Sequence, residues 1–168
     1  MTNVYNLFSS GAKLGTSFIK DNQGNTRYFY DQFDSLTSQY ANLLRTSGVK
    51  AGDRVMVQVE KSPESLLFYF ACLRFGCIYL PLNTAYKVDE LAYFINDAEP
   101  ILILCDPKRE SLFRQLSSAK IFTLDNEGRI NADLDDQIFD TADRLADDVA
   151  VIIYTSGTTG RPKGAMIS

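Results

Sequence analysis

The sequence predicts an α/β fold, a mostly parallel sheet flanked by helices. Three observations carry that expectation. Short apolar runs rich in β-branched residues alternate with amphipathic segments of about ten residues, the rhythm of parallel βαβ units joined by right-handed crossovers. Glycines, prolines and the Ser62-Pro63 pair mark the joints between them. A hydrophobic content of 45% and a charged content of 23% over 168 residues suit one globular unit with a sizeable core. No internal repeat or low-complexity tract interrupts the pattern.

In chain order, residues 17–20 and 26–30 read as strands of a hairpin, because Asp21, Asn22, Gly24 and Asn25 between them carry strong turn chemistry. A helix follows over 31–46. Phe33, Leu36, Tyr40, Leu43 and Leu44 recur at helical spacing, and Gly48 stands where a C-terminal cap is wanted. Residues 54–60 form a strand. Ser62 and Pro63 open the next helix as cap and first-turn proline, and it should run to about Arg74 and stop at Gly76. Residues 77–82 are a second strand.

The stretch 65–82 is apolar enough to raise a membrane span. Arg74 sits in mid-run, however, and Gly76 and Pro81 interrupt it. A central arginine costs roughly 2.5–3.5 kcal/mol even on the lenient insertion scale, so a helix and a buried strand are the better reading.

Residues 88–98 follow as a helix facing inward with Leu91, Phe94 and Ile95, then come a strand at 101–105, a helix at 107–116 and a strand at 120–124. Between 131 and 148 lie seven aspartates and one arginine. A calcium loop begun at Asn131 would place Asp136 where glycine is required and Ala142 where the bidentate glutamate belongs. A solvated acidic linker is expected instead, leading to a buried strand over 149–154.

Several function classes fall away on composition. A net charge of −4 and a pI near 4.8 leave no electrostatic footprint for nucleic acid. The chain has no histidine, which removes Ser-His, Cys-His and His-metal mechanisms from it. Cys72, Cys77 and Cys105 all lie in apolar runs and read as reduced, buried thiols, with no zinc-site spacing. The start, Met1 to Phe8, has neither a basic opening nor a continuous apolar core, so a cytoplasmic location is expected.

The chemistry concentrates after that last strand. Tyr154 is followed by Thr155, Ser156, Gly157, Thr158, Thr159, Gly160, Arg161, Pro162, Lys163 and Gly164. Glycines let backbone amides turn inward into an anion-binding concavity, the hydroxyls add uncharged donors, and Lys163 adds a mobile cation suited to phosphate. A Walker loop requires lysine directly after its second glycine, then Ser or Thr and a helix. Here Arg161 and Pro162 follow Gly160, and Gly164 with a strand-like Ala165-Met166-Ile167 follows Lys163. The spacing therefore excludes a Walker loop. A plain Gly/Thr-rich turn between strands is the bland alternative.

The run from Tyr154 to Gly164 resembles, at essentially every position, the signature loop of the adenylate-forming superfamily of acyl-CoA synthetases, luciferases and peptide-synthetase adenylation domains. Residues 28–33 resemble that family's early strand-to-helix segment, and residues 73–83 its second segment, in which a strand ends in Pro81-Leu82-Asn83. Asp147 and Asp148 before the final strand are also usual there.

The resemblance implies that Thr155 to Gly164 contact the triphosphate of ATP, that Thr158 ligates magnesium, and that Lys163 pairs with the outgoing phosphates. It implies a small-molecule carboxylate that is adenylated and then passed to coenzyme A. It further implies that residues 1–168 are the N-terminal portion of one AMP-binding domain, with the C-terminal parts, including the catalytic lysine, beyond Ser168. Expressed alone, the chain is then expected to be inactive and to fold poorly, with an open sheet edge and the 62–75 helix lacking cover.

Residues 81–86, residues 97–100 and the Arg161/Ala165 variant of the loop look most like malonyl-CoA synthetases. A fatty, aromatic or amino acid substrate and a non-catalytic nucleotide-binding fragment of the same fold remain the alternatives.

Overall fold

The computed structural model describes residues 3–155 and 162–168. A short helix, α1 (Val4–Ser10), precedes a hairpin of β1 (Ser17–Lys20) and β2 (Thr26–Phe29), which forms its own two-stranded sheet. Asp21 closes the hairpin turn by accepting from the Gln23 and Asn25 amides at 2.9 and 2.8 Å. The expected strands and turn are thus present. Helix α1 was not expected, since Tyr5 is its sole buried residue and the apolar spacing of Val4, Leu7 and Phe8 runs over only seven residues. Tertiary contacts hold it: Asn3 caps it and donates from Nδ2 to the carbonyls of Leu73 and Ala142 at 2.7 and 2.9 Å.

The main sheet has six strands in the order β6-β5-β3-β4-β7-β8. These are β3 (Arg54–Gln58), β4 (Ile78–Pro81), β5 (Leu102–Cys105), β6 (Lys120–Thr123), β7 (Val151–Thr155) and β8 (Lys163–Ile167). The first five run parallel, and β8 turns back antiparallel to β7. The helices are α2 (Tyr30–Thr46), α3 (Pro63–Phe75), α4 (Val88–Ala98) and α5 (Glu110–Leu116).

Side chains alternate across the sheet into two cores. Val55, Val57, Leu102, Leu104 and Phe122 meet α2 and α3 on one face, whereas Met56, Leu80, Ile103, Cys105 and Ile121 meet α4 and α5 on the other. Burial on both faces is why the strands read as unbroken apolar runs.

Local chemistry sets the boundaries of α3. Ser62 and Ser65 exchange hydrogen bonds of 3.0 and 2.9 Å with each other's amides, Pro63 occupies the first turn, and Gly76 takes φ +82° beyond the last residue. Gly48 likewise has φ +82° just past α2, with the Val49 amide bonded back to the Leu44 carbonyl. The 107–116 segment differs from expectation at its start. Asp106 caps a single 3₁₀ turn, Pro107–Arg109, before α5 begins.

Three expectations are corrected. The acidic segment is not simply a solvated linker, although six of its seven aspartates are exposed. Its backbone is strapped across α2 and α3, with Asn42 donating to the carbonyls of Asp135 and Gln137, Ser38 accepting from the Phe139 amide, and Ala142 donating to the Arg74 carbonyl. Those contacts pair the Ser38 hydroxyl and the Asn42 amide nitrogen, which the helices would otherwise bury unpaired, while Asn42 Oδ1 has no partner among the described residues.

Helix α3 does not lack cover either. Nine of its thirteen residues are buried, against α1, α2 and the strap. Strand β7, expected to be buried, is covered on one face. Tyr154 is buried, but Ile153 is 40% exposed and opens, with Leu66, Tyr69, Tyr79, Pro81 and Ile167, on an apolar groove of about 750 Å³.

Arg74, the residue that argued against a membrane span, is buried within the helical layer. Its guanidinium lies 4.9 Å from the Tyr5 ring centroid, pairs with Asp34 at 3.1 Å, and donates to Tyr5 Oη and Thr37 Oγ1. No helix among the described residues is long and apolar enough to cross a membrane.

Candidate functional site

Strands β7 and β8 pair in register from Val151 opposite Ile167 to Thr155 opposite Lys163. The hydroxyl-rich loop leaves from the carboxyl end of β7, the end of a parallel sheet at which ligands bind in open α/β folds. Of the ten expected phosphate-contacting residues, Thr155, Pro162, Lys163 and Gly164 are therefore placed at the mouth of this hairpin. Ser156, Gly157, Thr158, Thr159, Gly160 and Arg161 lie outside the described residues, as does the magnesium role expected of Thr158.

Thr155 and Lys163 face each other across the ladder and both are exposed, so a hydroxyl and an ammonium are available together to an anion. Gly164 stands opposite Tyr154, and a Cβ there would come within 3.0 Å of Ile152 Cγ2. That crowding is a packing reason for glycine, separate from any approach to phosphate.

Helix α4 supports both stems. Tyr154 packs on Phe94 with ring centroids 4.4 Å apart, and its hydroxyl donates to Asp97 Oδ2 at 2.5 Å. Burial first, and then the neighbouring Asp97 carboxylate, push the Tyr154 hydroxyl well above the ordinary tyrosine range, so it remains a donor at all working pH values. Tyr93 donates from its hydroxyl to the Pro162 carbonyl at 2.9 Å. Sequence reasoning assigned Tyr93 and Asp97 no part in the site. Their i,i+4 spacing was visible, but nothing in it says that the helix face meets a strand far along the chain.

A second polar cluster at the same end of the sheet was also missed. Gln58 at the end of β3 donates to the Asn83 carbonyl and accepts from Arg109 Nη1, both at 2.7 Å. Arg109 also donates to the Tyr86 carbonyl at 3.1 Å. Thiol chemistry takes no part in this, although Cys105 stands opposite Gln58 in the sheet. Burial pushes the Cys105 thiol up to about 12 and Cys72 well above its ordinary value, which keeps both protonated.

The architecture and the loop together define an adenylate-forming type of domain. The family profile described as AMP-binding enzyme matches residues 12–168, and the chain belongs to that family.

The apo and ATP-bound crystal structures of MatB from Rhodopseudomonas palustris superpose with TM-scores of 0.89 and 0.88 at 40% and 41% identity. Each match covers 99% of this chain and 34% of that one. Feruloyl-CoA synthase from Amycolatopsis sp is 34% identical over 86% of this chain, which spans 29% of its length. Bacitracin synthase 3 from Bacillus licheniformis is 31% identical over 98% of the chain, which spans 2% of that protein. The chain thus spans about a third or less of the length of each of these proteins.

Proposed function

We propose that the complete enzyme is an ATP-dependent acid–CoA ligase with malonate as its acid, and that residues 1–168 are the N-terminal portion of its single AMP-binding domain. The observation that carries this is the β7–β8 hairpin, with Thr155 and Lys163 exposed together at the carboxyl end of the parallel sheet. Likeness to MatB, one of whose crystal structures is ATP-bound, supports the nucleotide, and the resemblance of residues 81–86, residues 97–100 and the Arg161/Ala165 loop variant to malonyl-CoA synthetases supports malonate.

In the proposed reaction one carboxylate oxygen of the acid attacks the α-phosphorus of ATP. The bond from that phosphorus to the bridging oxygen breaks, and pyrophosphate leaves with the electron pair. The thiolate of coenzyme A then attacks the acyl carbon, and AMP departs as the thioester forms.

Thr155, Ser156, Gly157, Thr158, Thr159, Gly160, Arg161, Pro162, Lys163 and Gly164 form the cradle for the β- and γ-phosphates. Lys163 neutralises charge that develops on the leaving pyrophosphate. The exposed hydroxyl and ammonium at the mouth fit a polyanion, and magnesium, with Thr158 as its protein ligand, would spread the phosphate charge. The catalytic lysine and acid pocket belong to residues after Ser168. The buried, unpaired thiols Cys72, Cys77 and Cys105 accord with a reducing, cytoplasmic location.

Feruloyl-CoA synthase and bacitracin synthase 3 favour a second reading, in which an aromatic or amino acid is adenylated. Pyrophosphate exchange by the complete enzyme separates the two. Exchange driven by malonate in preference to acetate, octanoate, ferulate and amino acids is expected, and equal or better exchange with any of these overturns the malonate assignment.

A further inference from the structure

We infer that α4 is the positioning helix of the phosphate loop, with Tyr93 and Asp97 holding its two stems so that Thr155 and Lys163 face a triphosphate in fixed register. This rests on the phosphate-loop reading above and adds to it the residues that aim the loop.

The need for such anchors follows from how loosely the hairpin joins the sheet. Strand β7 pairs with β4 at one register position, Tyr79 opposite Val151, reinforced by the Tyr79 amide donating to the Ala150 carbonyl at 2.9 Å. That seam lies at the start of β7, whereas the loop leaves from Thr155, about 13 Å further on at the usual strand rise. Strand β8 pairs with β7 alone among the described residues, and each of its residues is exposed. A two-stranded hairpin is marginal by itself. Held only by that seam and by the Tyr154 ring against Phe94, its far end would keep freedom to swing, and donors that swing are not preorganised for a transition state.

Helix α4 supplies the missing restraint at the far end. Its buried residues, Leu91, Phe94, Ile95 and Ala98, already fix it against the sheet. Tyr93 and Asp97 lie one turn apart on its loop side, and each holds a different stem. Asp97 accepts from the hydroxyl of Tyr154, the residue before Thr155. Tyr93 donates to the carbonyl of Pro162, the residue before Lys163. The Asp97 anchor therefore stands one residue from a proposed phosphate contact, and the Tyr93 anchor falls on one, next to Lys163.

Neither polar group is needed for the core. Asp97 is exposed and Tyr93 is half-buried, so removing the carboxylate or the single hydroxyl leaves no large cavity. These are positioning residues, since neither is placed against substrate.

The test uses the complete ligase carrying Tyr93→Phe, Asp97→Ala, Asp97→Asn or Lys163→Ala. ATP dissociation constants come from calorimetry without acid, and KM for ATP and for the acid come from pyrophosphate exchange, each beside the unfolding temperature. Tyr93→Phe and Asp97→Ala are expected to weaken ATP about tenfold, as when the stems hold the competent register in only about a tenth of molecules, with acid KM near wild type and the unfolding temperature lowered much less than the ATP affinity. Asp97→Asn retains an acceptor oxygen and should recover most of the affinity.

If Lys163→Ala weakens ATP while Tyr93→Phe and Asp97→Ala bind it normally, the positioning role is wrong and the phosphate loop stands. Equal losses in ATP affinity, acid KM and unfolding temperature would reduce α4 to scaffold and also overturn the role. Normal ATP binding by Lys163→Ala removes the phosphate-loop reading, and the positioning role with it.

Discussion

Glu64 is a carboxylate placed where burial opposes ionisation. It is 4% exposed in the first turn of α3, and burial alone would raise its pKa. The Tyr28 hydroxyl at 2.7 Å and the Arg27 guanidinium at 3.2 Å outweigh that effect and hold the carboxyl below its ordinary value of 4.5. A depressed folded pKa means that the stabilisation is complete above the unfolded value and fades as pH falls through the folded one. Glu64→Gln should therefore lower the denaturant midpoint at neutral pH, and the gap from wild type should narrow steadily below pH 4.5. Urea melts between neutral pH and strong acid check this, and a gap independent of pH would show that the charge is not what Glu64 contributes. The same carboxylate explains Gly128, where a Cβ would fall 2.4 Å from Glu64 Cδ and φ is +82°.

At the scale of the element, α3 shows how much of a helix is set by its ends. Its apolar residues are distributed around most of its circumference, consistent with burial between the sheet and other helices. Periodicity therefore says little about where it begins, and the Ser62–Ser65 box and Gly76 decide it. Ser62→Ala should cost about 1 kcal/mol through the lost cap. Gly76→Ala should cost more, since it combines a left-handed backbone with a Cβ 2.9 Å from Arg144 Cδ in the acidic strap. Equilibrium unfolding of both variants gives the order, and a Gly76→Ala variant as stable as wild type would show that the strap yields freely. The strap itself was half legible. Its aspartates signalled solvent, but the backbone groups that bond Ser38 and the Asn42 amide nitrogen carry no sequence signature.

For the whole molecule, the exposed surface predicts behaviour. Residues 1–168 bury α3 and two cores, so cooperative folding is more accessible to them than the sequence alone suggested. Yet Ile153 and Ile167 are 40% and 46% exposed on the apolar groove, Met166 is 71% exposed on the opposite face of β8, and β8 presents an unpaired edge among the described residues. Open edges and contiguous apolar patches favour association. Expressed alone, the chain should self-associate with rising concentration and make no acyl-adenylate. Sedimentation with an adenylate assay tests both, and Met166→Lys should shift the material toward monomer. A monomeric, adenylate-forming 1–168 would contradict the assignment of catalysis to later residues.

The sequence by itself determined the sheet-and-helix alternation, because both-faced burial demands unbroken apolar strands and the caps of α2 and α3 are local chemistry. It also determined the loop's place after β7, because glycines, hydroxyls and Lys163 stand together in one short run. Tertiary structure alone decided that α1 forms, that the acidic segment straps two helices, and that Tyr93 and Asp97 meet the loop's stems. Each of those depends on partners separated by tens of residues, where contact is set by how strands order in the sheet, and local propensity carries no information about that order.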